Sequence, residues 1–186
     1  TNCIEDWETK VNKIVQETIH EDMSIIAGIP SWVQMYFEKL VDQKGQKVGD
    51  IFKNLNLFIF GGVNYEPYRS KFETLIGRKV DSIELYPASE GFFAFQDLQN
   101  ETGMLLQLDS GMFYEFISAD TFFDASHQRL TLKDVKIGVN YVIIISTTAG
   151  LWAYNIGDTV QFTSLAPFRV IVSGRIKHFI SAFGEH

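Results

Sequence analysis

The sequence predicts an α/β domain that continues into antiparallel β structure. In the first half, amphipathic helical segments alternate with short apolar runs in the order helix, strand, helix, strand. That order is typical of a layer with parallel strands. After Glu90, short apolar runs are separated by turn residues every ~8–12 residues, which is typical of an antiparallel sheet or a small barrel. A hydrophobic content of 46% over 186 residues provides a core for this α/β plus β fold.

Two amphipathic helices open the chain, and a third follows. Residues 5–21 and the segment that begins at Pro30 carry apolar side chains three and four residues apart, which is the spacing of one helix face. Proline suits the first helical position, and Gly45 suits the end of the second helix. Residues 65–76 predict the third helix. We expect the apolar faces of these helices to pack in the core.

Short apolar runs bounded by glycine and polar residues predict the strands, and the polar segment 119–128 is predicted to be a loop. The predicted strands are residues 55–60, 82–86, 92–95, 104–108, 112–117, 141–147, 151–153, 159–163 and 168–172. We therefore expect an α/β subdomain over 1–95 and an antiparallel, β-barrel-like subdomain over 96–176.

The composition argues against several classes of protein and of site. The formal net charge is −7 and no block of basic residues is present, so we expect no nucleic-acid groove. No apolar run approaches the ~20 residues of a membrane span, and no signal peptide is recognisable. The single cysteine, Cys3, cannot form an internal disulfide, which favours a reducing, cytoplasmic location. The four histidines lack the spacing of metal ligands, so we expect no zinc site.

A polar cluster follows the strand that ends near residue 86. Tyr86, Ser89 and Glu90 place a ring, a hydroxyl and a carboxylate close to a predicted core, where such groups need a protein, water, metal or substrate partner. A structural and a functional role both fit these residues. Gly61-Gly62 ends the preceding strand, where it forms either a plain turn or a close approach of the backbone to a flat ligand.

Two later polar segments also allow two interpretations. Asp158 is a suitable acceptor for a diol such as ribose, but Asn155, Gly157 and Asp158 together are also typical of a hairpin turn. Arg175 and Lys177 alternate where the last strand ends. They are suited to donate to ribose or phosphate oxygens, or they form a solvated edge.

The order of these segments resembles that in the adenylate-forming enzymes. Their residue sequences are most similar to those of the acyl acid amido synthetases related to the plant auxin-responsive proteins. The resemblance covers essentially the whole chain and implies part of the N-terminal domain of such an enzyme. It rests on Gly-Ile-Pro-Ser-Trp at 28–32, Tyr-Pro-Ala-Ser-Glu at 86–90, Gly-Leu-Trp-Ala-Tyr-Asn-Ile-Gly-Asp at 150–158 and Ser-Gly-Arg-Ile-Lys at 173–177.

The resemblance implies where the adenine of ATP binds. Gly61, Gly62 and Val63 are expected to form one wall of the adenine slot, with Tyr86 against the base. It also implies that segment 177–186 is a hinge toward a C-terminal domain. The acidic composition with one cysteine fits a bacterial member of the family.

The remaining implied roles concern the phosphates and the ribose. Ser89 is expected near the α-phosphate, and Glu90 is expected to hold Mg²⁺, a cation that favours carboxylate and phosphate oxygens. Asp158 is expected to take the ribose hydroxyls, with Arg175 as a second ribose contact. Ser89 and Glu90 are thus the candidate catalytic residues.

The implied activity is that of an ATP-dependent ligase. A small carboxylic acid attacks the α-phosphorus of ATP, and an amino acid or another amine then displaces AMP to give an amide. Two residues depart from the family pattern, since Asn155 stands where Arg is usual and Pro87 stands where many members have Gly. The alternatives are a non-catalytic nucleotide-binding module and a β-rich interaction module.

Both ends of the chain favour a fragment of a longer protein. The family's Ser/Thr/Gly-rich phosphate loop and its C-terminal lid are absent from this sequence. We therefore expect the chain by itself to be catalytically incompetent. The sequence does not indicate the acid, the amine or the oligomeric state.

Overall fold

The structure is a computed structural model that describes residues 3–176. It divides into two compact units, Thr1–Leu85 and Tyr86–His186, which are described separately below. The predicted hinge at 177–186, which begins with Lys177, lies outside the described residues. The predicted subdomain boundary after residue 95 stays a prediction.

Helices and parallel strands make up the first unit. The helices are α1 (Trp7–Thr18), α2 (Pro30–Lys44), α3 (Val48–Ile51) and α4 (Glu66–Ile76). The strands are β1 (Ile25–Ala27), β2 (Leu57–Gly61) and β3 (Asp81–Ala88), and the last part of β3, from Tyr86, belongs to the second unit.

The helices begin and end at residues that the sequence marks. The Thr9 N–H donates to Oδ2 of Asp6 at 2.7 Å and caps the start of α1. Pro30 is the first residue of α2, and Gly45 ends that helix with a left-handed φ of 64°. The predicted bounds of α2 are thereby confirmed. None of the helices among residues 3–176 is long and apolar enough to cross a membrane.

The strands of the first unit are parallel, as predicted. Ile26 of β1 lies opposite Phe58 of β2, which in turn lies opposite Ser82 of β3. Phe58 is buried, and its ring packs against Phe72 of α4 with ring centroids 4.9 Å apart. Burial of such rings between helix and sheet is the main stabilising contribution to a layer of this kind.

The second unit is an antiparallel sheet. Its strands are β4 (Gly91–Phe95), β5 (Met104–Leu106), β6 (Met112–Ser118), β7 (Asn140–Thr147), β8 (Tyr154–Leu165) and β9 (Phe168–Arg175). Neighbouring strands follow the order β4-β5-β9-β8-β7-β6. Within residues 91–175 this order does not close on itself, so the sheet is open. The predicted fold class, a parallel α/β layer followed by antiparallel β structure, is confirmed.

The start of β8 differs from the prediction. Residues 151–153 were expected to be a strand, but β8 begins at Tyr154 and includes the segment expected to form a turn. Ala153 has a left-handed φ of 49°, and its N–H donates to Oγ of Ser146 at 2.9 Å. This conformation and contact hold residues 151–153 as a loop, which ends where the extended backbone of β8 starts.

Apolar side chains from both ends of the second unit form one core. Phe162 of β8 is fully buried and packs edge-on against Phe116 of β6, with ring centroids 5.1 Å apart. Tyr86, Phe93 and Val160 belong to the same buried cluster. The strands that carry the candidate site are therefore fixed by this core.

Candidate functional site

A tight turn presents Ser89 and Glu90. β3 ends at Ala88 and β4 begins at Gly91, so the two residues form the turn between the strands. Ser89 is exposed and Glu90 is half-buried. The expected strand, tight connection and strand are confirmed here.

Tyr86 lies in β3 with its ring in the core of the second unit. The residue is only 6% exposed, and its ring packs against Phe93 with centroids 5.0 Å apart. Its hydroxyl donates to Oδ2 of Asp158 at 2.8 Å, across 72 positions of sequence. Burial, followed by the negative charge of Asp158, raises the pKa of Tyr86, so the hydroxyl stays protonated and remains a donor.

Asp158 and Arg175 are direct neighbours on β8 and β9. The two residues lie opposite each other in the antiparallel pair, and Nε of Arg175 donates to Oδ1 of Asp158 at 2.8 Å. The hydrogen bond to Asp158 is the main cause that raises the pKa of Arg175. The Asp158 side chain is 13% exposed, whereas that of Arg175 is 69% exposed. Both carboxylate oxygens of Asp158 are therefore held, one by a buried donor and one by an exposed donor.

The backbone of β8 is irregular beside Asp158. Gly157 has a left-handed φ of 84°, and the register with β9 shifts between Thr159 and Val160. The Gly157 N–H donates to Oδ1 of Asn155 at 2.9 Å, and its carbonyl accepts from Ile176 N at 2.8 Å. Such bulges redirect a side chain from the regular alternation of a strand.

Glu90 lies next to Tyr154 and within the field of Arg175. The pKa of Tyr154 is raised by desolvation first and then by the charge of Glu90, so the two side chains are neighbours. The charge of Glu90 also raises the pKa of Arg175, as a smaller cause than Asp158. The guanidinium of Arg175 is thus paired with Asp158 and also lies within the electrostatic field of Glu90, and the three side chains together carry a net negative charge.

The structure brings together four residues that the sequence singled out: Tyr86, Glu90, Asp158 and Arg175. Ser89 is adjacent to Glu90 in the turn. The interpretation of Asn155, Gly157 and Asp158 as a hairpin turn is wrong, because all three residues lie inside β8.

Gly61, Gly62 and Val63 belong to the first unit. β2 ends at Gly61, and Gly62 has a left-handed φ of 81° with no heavy atom within 4 Å of the position of a Cβ. Val63 is 41% exposed. The backbone at Gly62 is therefore open on its side-chain face, and the expected contact with an adenine stays a prediction.

Tyr154 is the neighbour of the site that the sequence argument missed. It lies within the similar segment 150–158, and the resemblance implies no role for it. Strand alternation gave no usable signal, because Gly157 has a left-handed φ and interrupts the alternation between Tyr154 and Asp158. The turn-like composition of the segment also hid the strand.

The donors and acceptors present fit a nucleotide with a bound cation. A carboxylate offers about four acceptor positions, and Asp158 uses two of them, so two remain for a diol. Among residues 3–176 no three His, Cys, Asp or Glu side chains are close enough to form a metal cage. Mg²⁺ usually binds through one or two carboxylates together with phosphates and water, and Glu90 fits that lesser requirement.

The segment that carries most of these residues matches a known family. Residues 105–175 match the model for the GH3 family central domain. This range includes Tyr154, Asp158 and Arg175, whereas Tyr86 and Glu90 precede it. The family match supports the resemblance that the sequence suggested.

Solved structures of ligases have a similar fold. A GH3.15 acyl acid amido synthetase is 17% identical, with 75% of this chain and 26% of that chain covered and a TM-score of 0.57. A 2-hydroxyisobutyryl-CoA ligase in complex with 2-HIB-AMP and CoA is 14% identical, with 94% and 41% covered and a TM-score of 0.63. A benzoate CoA ligase from Burkholderia xenovorans LB400 is 14% identical, with 89% and 34% covered and a TM-score of 0.56. The chain spans less than half the length of each of these proteins.

Proposed function

We propose that the chain is part of an ATP-dependent acyl acid amido synthetase, because residues 105–175 match the GH3 family central domain and the fold is that of adenylate-forming enzymes. Its partners are a small-molecule carboxylic acid and an amino acid or another amine, and it acts in the cytoplasm. The observation that carries the proposal is the contact of Tyr86, Asp158 and Arg175 beside Glu90.

Asp158 and Arg175 are proposed to bind the ribose of ATP. The two unused acceptor positions of Asp158 suit the two neighbouring hydroxyls of a ribose. Arg175 is exposed and already points at this carboxylate, so it is placed to donate to a ribose oxygen as well. The buried hydroxyl of Tyr86 holds the other side of the carboxylate.

Glu90 and Ser89 are proposed to bind the phosphates of ATP, Glu90 through Mg²⁺ and Ser89 directly. Mg²⁺ supplies positive charge to the phosphates when it is bound, and Glu90 would hold it. The negative local charge from Glu90 and Asp158 against one guanidinium favours a cation there. The exposed hydroxyl of Ser89, one residue before Glu90, is suited to donate to an α-phosphate oxygen.

The proposed chemistry has two steps. The substrate carboxylate forms a bond to the α-phosphorus of ATP while the bond to pyrophosphate breaks. The amine then attacks the acyl carbon, loses a proton and releases AMP, which leaves an amide. In the first step the residues of this chain orient the nucleotide and stabilise charge, which are the main sources of rate in phosphoryl and nucleotidyl chemistry.

The test uses the natural full-length protein that contains this chain. Acid-dependent exchange between ATP and pyrophosphate is measured over a panel of small carboxylic acids, and nucleotide binding is measured by calorimetry. Glu90→Gln keeps the shape of the side chain but removes the charge that Mg²⁺ needs. We expect exchange to fall at least about 100-fold, the size of losing one electrostatic contact to the reacting group, while ATP still binds.

The matched control is Glu21→Gln, which removes the same charge from an exposed position of the first unit. It is expected to leave exchange unchanged. Normal exchange by Glu90→Gln contradicts the role of Glu90. ATP binding by the wild type without exchange for any acid supports the non-catalytic nucleotide-binding alternative, and loss of both supports the interaction module.

A further inference from the structure

The orientation of Asp158 is not fixed by its strand. Gly157 has a left-handed φ of 84°, and the pairing of β8 with β9 shifts register just after Asp158. A regular ladder therefore does not set the direction of this side chain. Hydrogen bonds to the two oxygens set the rotation of the carboxylate plane.

Two donors from different strands hold the carboxylate, and they are unequal. Arg175 is 69% exposed, and an ion pair at such a position is screened by water and contributes little. Tyr86 is 6% exposed, with its ring fixed against Phe93, so its 2.8 Å hydrogen bond to Oδ2 operates in a low-dielectric environment. The tyrosine contributes the stronger and more rigid of the two contacts.

We propose that Tyr86 is a positioning residue whose hydroxyl holds the Asp158 carboxylate in the orientation that accepts the 2′- and 3′-hydroxyls of the ribose. This inference rests on the proposed function, because it assumes that Asp158 binds ribose. It gives the hydroxyl of Tyr86 a role in binding the ribose, in addition to any contact of its ring with the base.

The hydroxyl restricts rotation of the carboxylate about its terminal bond. With Oδ2 bound to Tyr86 and Oδ1 bound to Arg175, rotation breaks at least one hydrogen bond. The two remaining acceptor positions then point in fixed directions, which lowers the cost of ordering the site when a ligand binds. Without the hydroxyl, the exposed Arg175 alone restrains the carboxylate.

The test compares ribose with a sugar that lacks the diol. In the full-length protein, the dissociation constants of ATP and 2′,3′-dideoxy-ATP are measured for the wild type and for Tyr86→Phe. We expect Tyr86→Phe to weaken ATP binding about tenfold, the effect of one hydrogen bond to a charged group. We expect 2′,3′-dideoxy-ATP to bind both proteins equally, so the preference for ribose falls.

A double-mutant cycle with Asp158→Asn tests the path through the carboxylate. If Tyr86 acts through Asp158, then Tyr86→Phe in the Asp158→Asn background changes the preference for ATP less than about twofold. The matched control is Tyr141→Phe, which removes a buried hydroxyl of the same core whose contact is with Lys136 N at 3.0 Å. Tyr141→Phe is expected to keep the wild-type preference for ATP over the dideoxy nucleotide.

The outcomes separate this inference from the proposed function. Wild-type preference for ATP in Tyr86→Phe, or equal weakening of both nucleotides, overturns the role of the hydroxyl toward the ribose and leaves the proposed function intact. Failure of the wild type to bind ATP overturns the proposed function and this inference with it. A melting temperature of Tyr86→Phe close to that of the wild type confirms that the fold is retained, since the ring and its packing against Phe93 remain.

Discussion

The ion pair between Asp97 and Arg169 is expected to anchor β9, the strand that ends at Arg175. Arg169 is 5% exposed, and its guanidinium donates to both oxygens of Asp97, with Nη2 and Oδ2 2.9 Å apart. The substitution Asp97→Asn keeps the size of the side chain but removes its charge and one acceptor. A buried guanidinium then remains without a matching carboxylate.

The structure sets the size of the effect. Removing one partner of a fully buried ion pair costs roughly 3–5 kcal/mol, because the remaining charge is buried without compensation. The Asp97 side chain is 26% exposed, so water reaches one side of the pair. We therefore expect Asp97→Asn to lower the free energy of unfolding of the second unit by about 2 kcal/mol at pH 7.

The pH dependence follows from the pKa of Asp97. The hydrogen bonds from Arg169 are the main cause that lowers the pKa of Asp97 in the folded protein. A carboxyl with a depressed folded pKa contributes stability above its unfolded pKa, which is about 3.9, and loses it as pH falls through the folded pKa. The difference in the free energy of unfolding between the wild type and Asp97→Asn should therefore be constant from pH 5 to 7, at about 2 kcal/mol. It should shrink below about pH 4.

Hydrogen exchange of the amides of β8 and β9 measures this effect for the second unit by itself. The control is Asp109→Asn, which removes the same charge at an exposed turn position between β5 and β6 and should change exchange little. A loss below about 0.5 kcal/mol for Asp97→Asn, the range of ordinary surface substitutions, would refute the reasoning. A difference that persists unchanged at pH 3 would refute the assignment of the low pKa.

Two further predictions concern the cores. Phe162→Ala removes a fully buried ring that packs against Phe116, and we expect it to lower the free energy of unfolding by about 3–5 kcal/mol. The control is Phe113→Ala at a 58% exposed position, which should lower it by less than about 0.5 kcal/mol. Urea unfolding measures both changes. In the first unit the hydroxyl of Thr18 donates to the carbonyl of Ile14 at 2.7 Å, so the 2.6 Å contact with Tyr36 is donated by the tyrosine. Tyr36→Phe should therefore cost about 1 kcal/mol in hydrogen-exchange protection of α1 and α2.

The elements that the sequence predicted are those with a repeated local signal. α2 has an apolar face at helical spacing, a proline at its first position and Gly45 at its end. β1 has only the residues Ile25–Ala27, which is too short for a periodic pattern, and the single turn of α3 at Val48–Ile51 has the same limitation. Long periodic segments are predictable, whereas short segments depend on tertiary pairing.

The start of β8 was mispredicted for a different reason. Asparagine, glycine and aspartate in close succession are typical of turns because each tolerates or stabilises unusual backbone angles. Here the same properties serve an irregular strand, in which Asn155 accepts the N–H of Gly157 and Gly157 takes a left-handed φ. Local composition identified the unusual backbone, but the partner strand β9 decides that the segment is extended.

The sequence singled out four residues that the structure brings together, but it did not reveal their contacts. The similarity of the segments selected Tyr86, Glu90, Asp158 and Arg175. Their spacing does not reveal that a hydroxyl meets a carboxylate 72 positions away. Only the order of strands, which brings β8 between β7 and β9, gives Asp158 its direct neighbour Arg175.

The difference in exposure between the two partners of Asp158 supports the proposal that this carboxylate is oriented and also accepts a ligand. A site held by two buried donors would be rigid, but a ligand would reach the free acceptor positions of the carboxylate only at a large desolvation cost. A site held by two exposed donors would admit ligand easily but would leave the carboxylate free to rotate. Tyr86 is buried and Arg175 is 69% exposed, so the buried contact holds the orientation of the carboxylate while its arginine partner stays open to solvent.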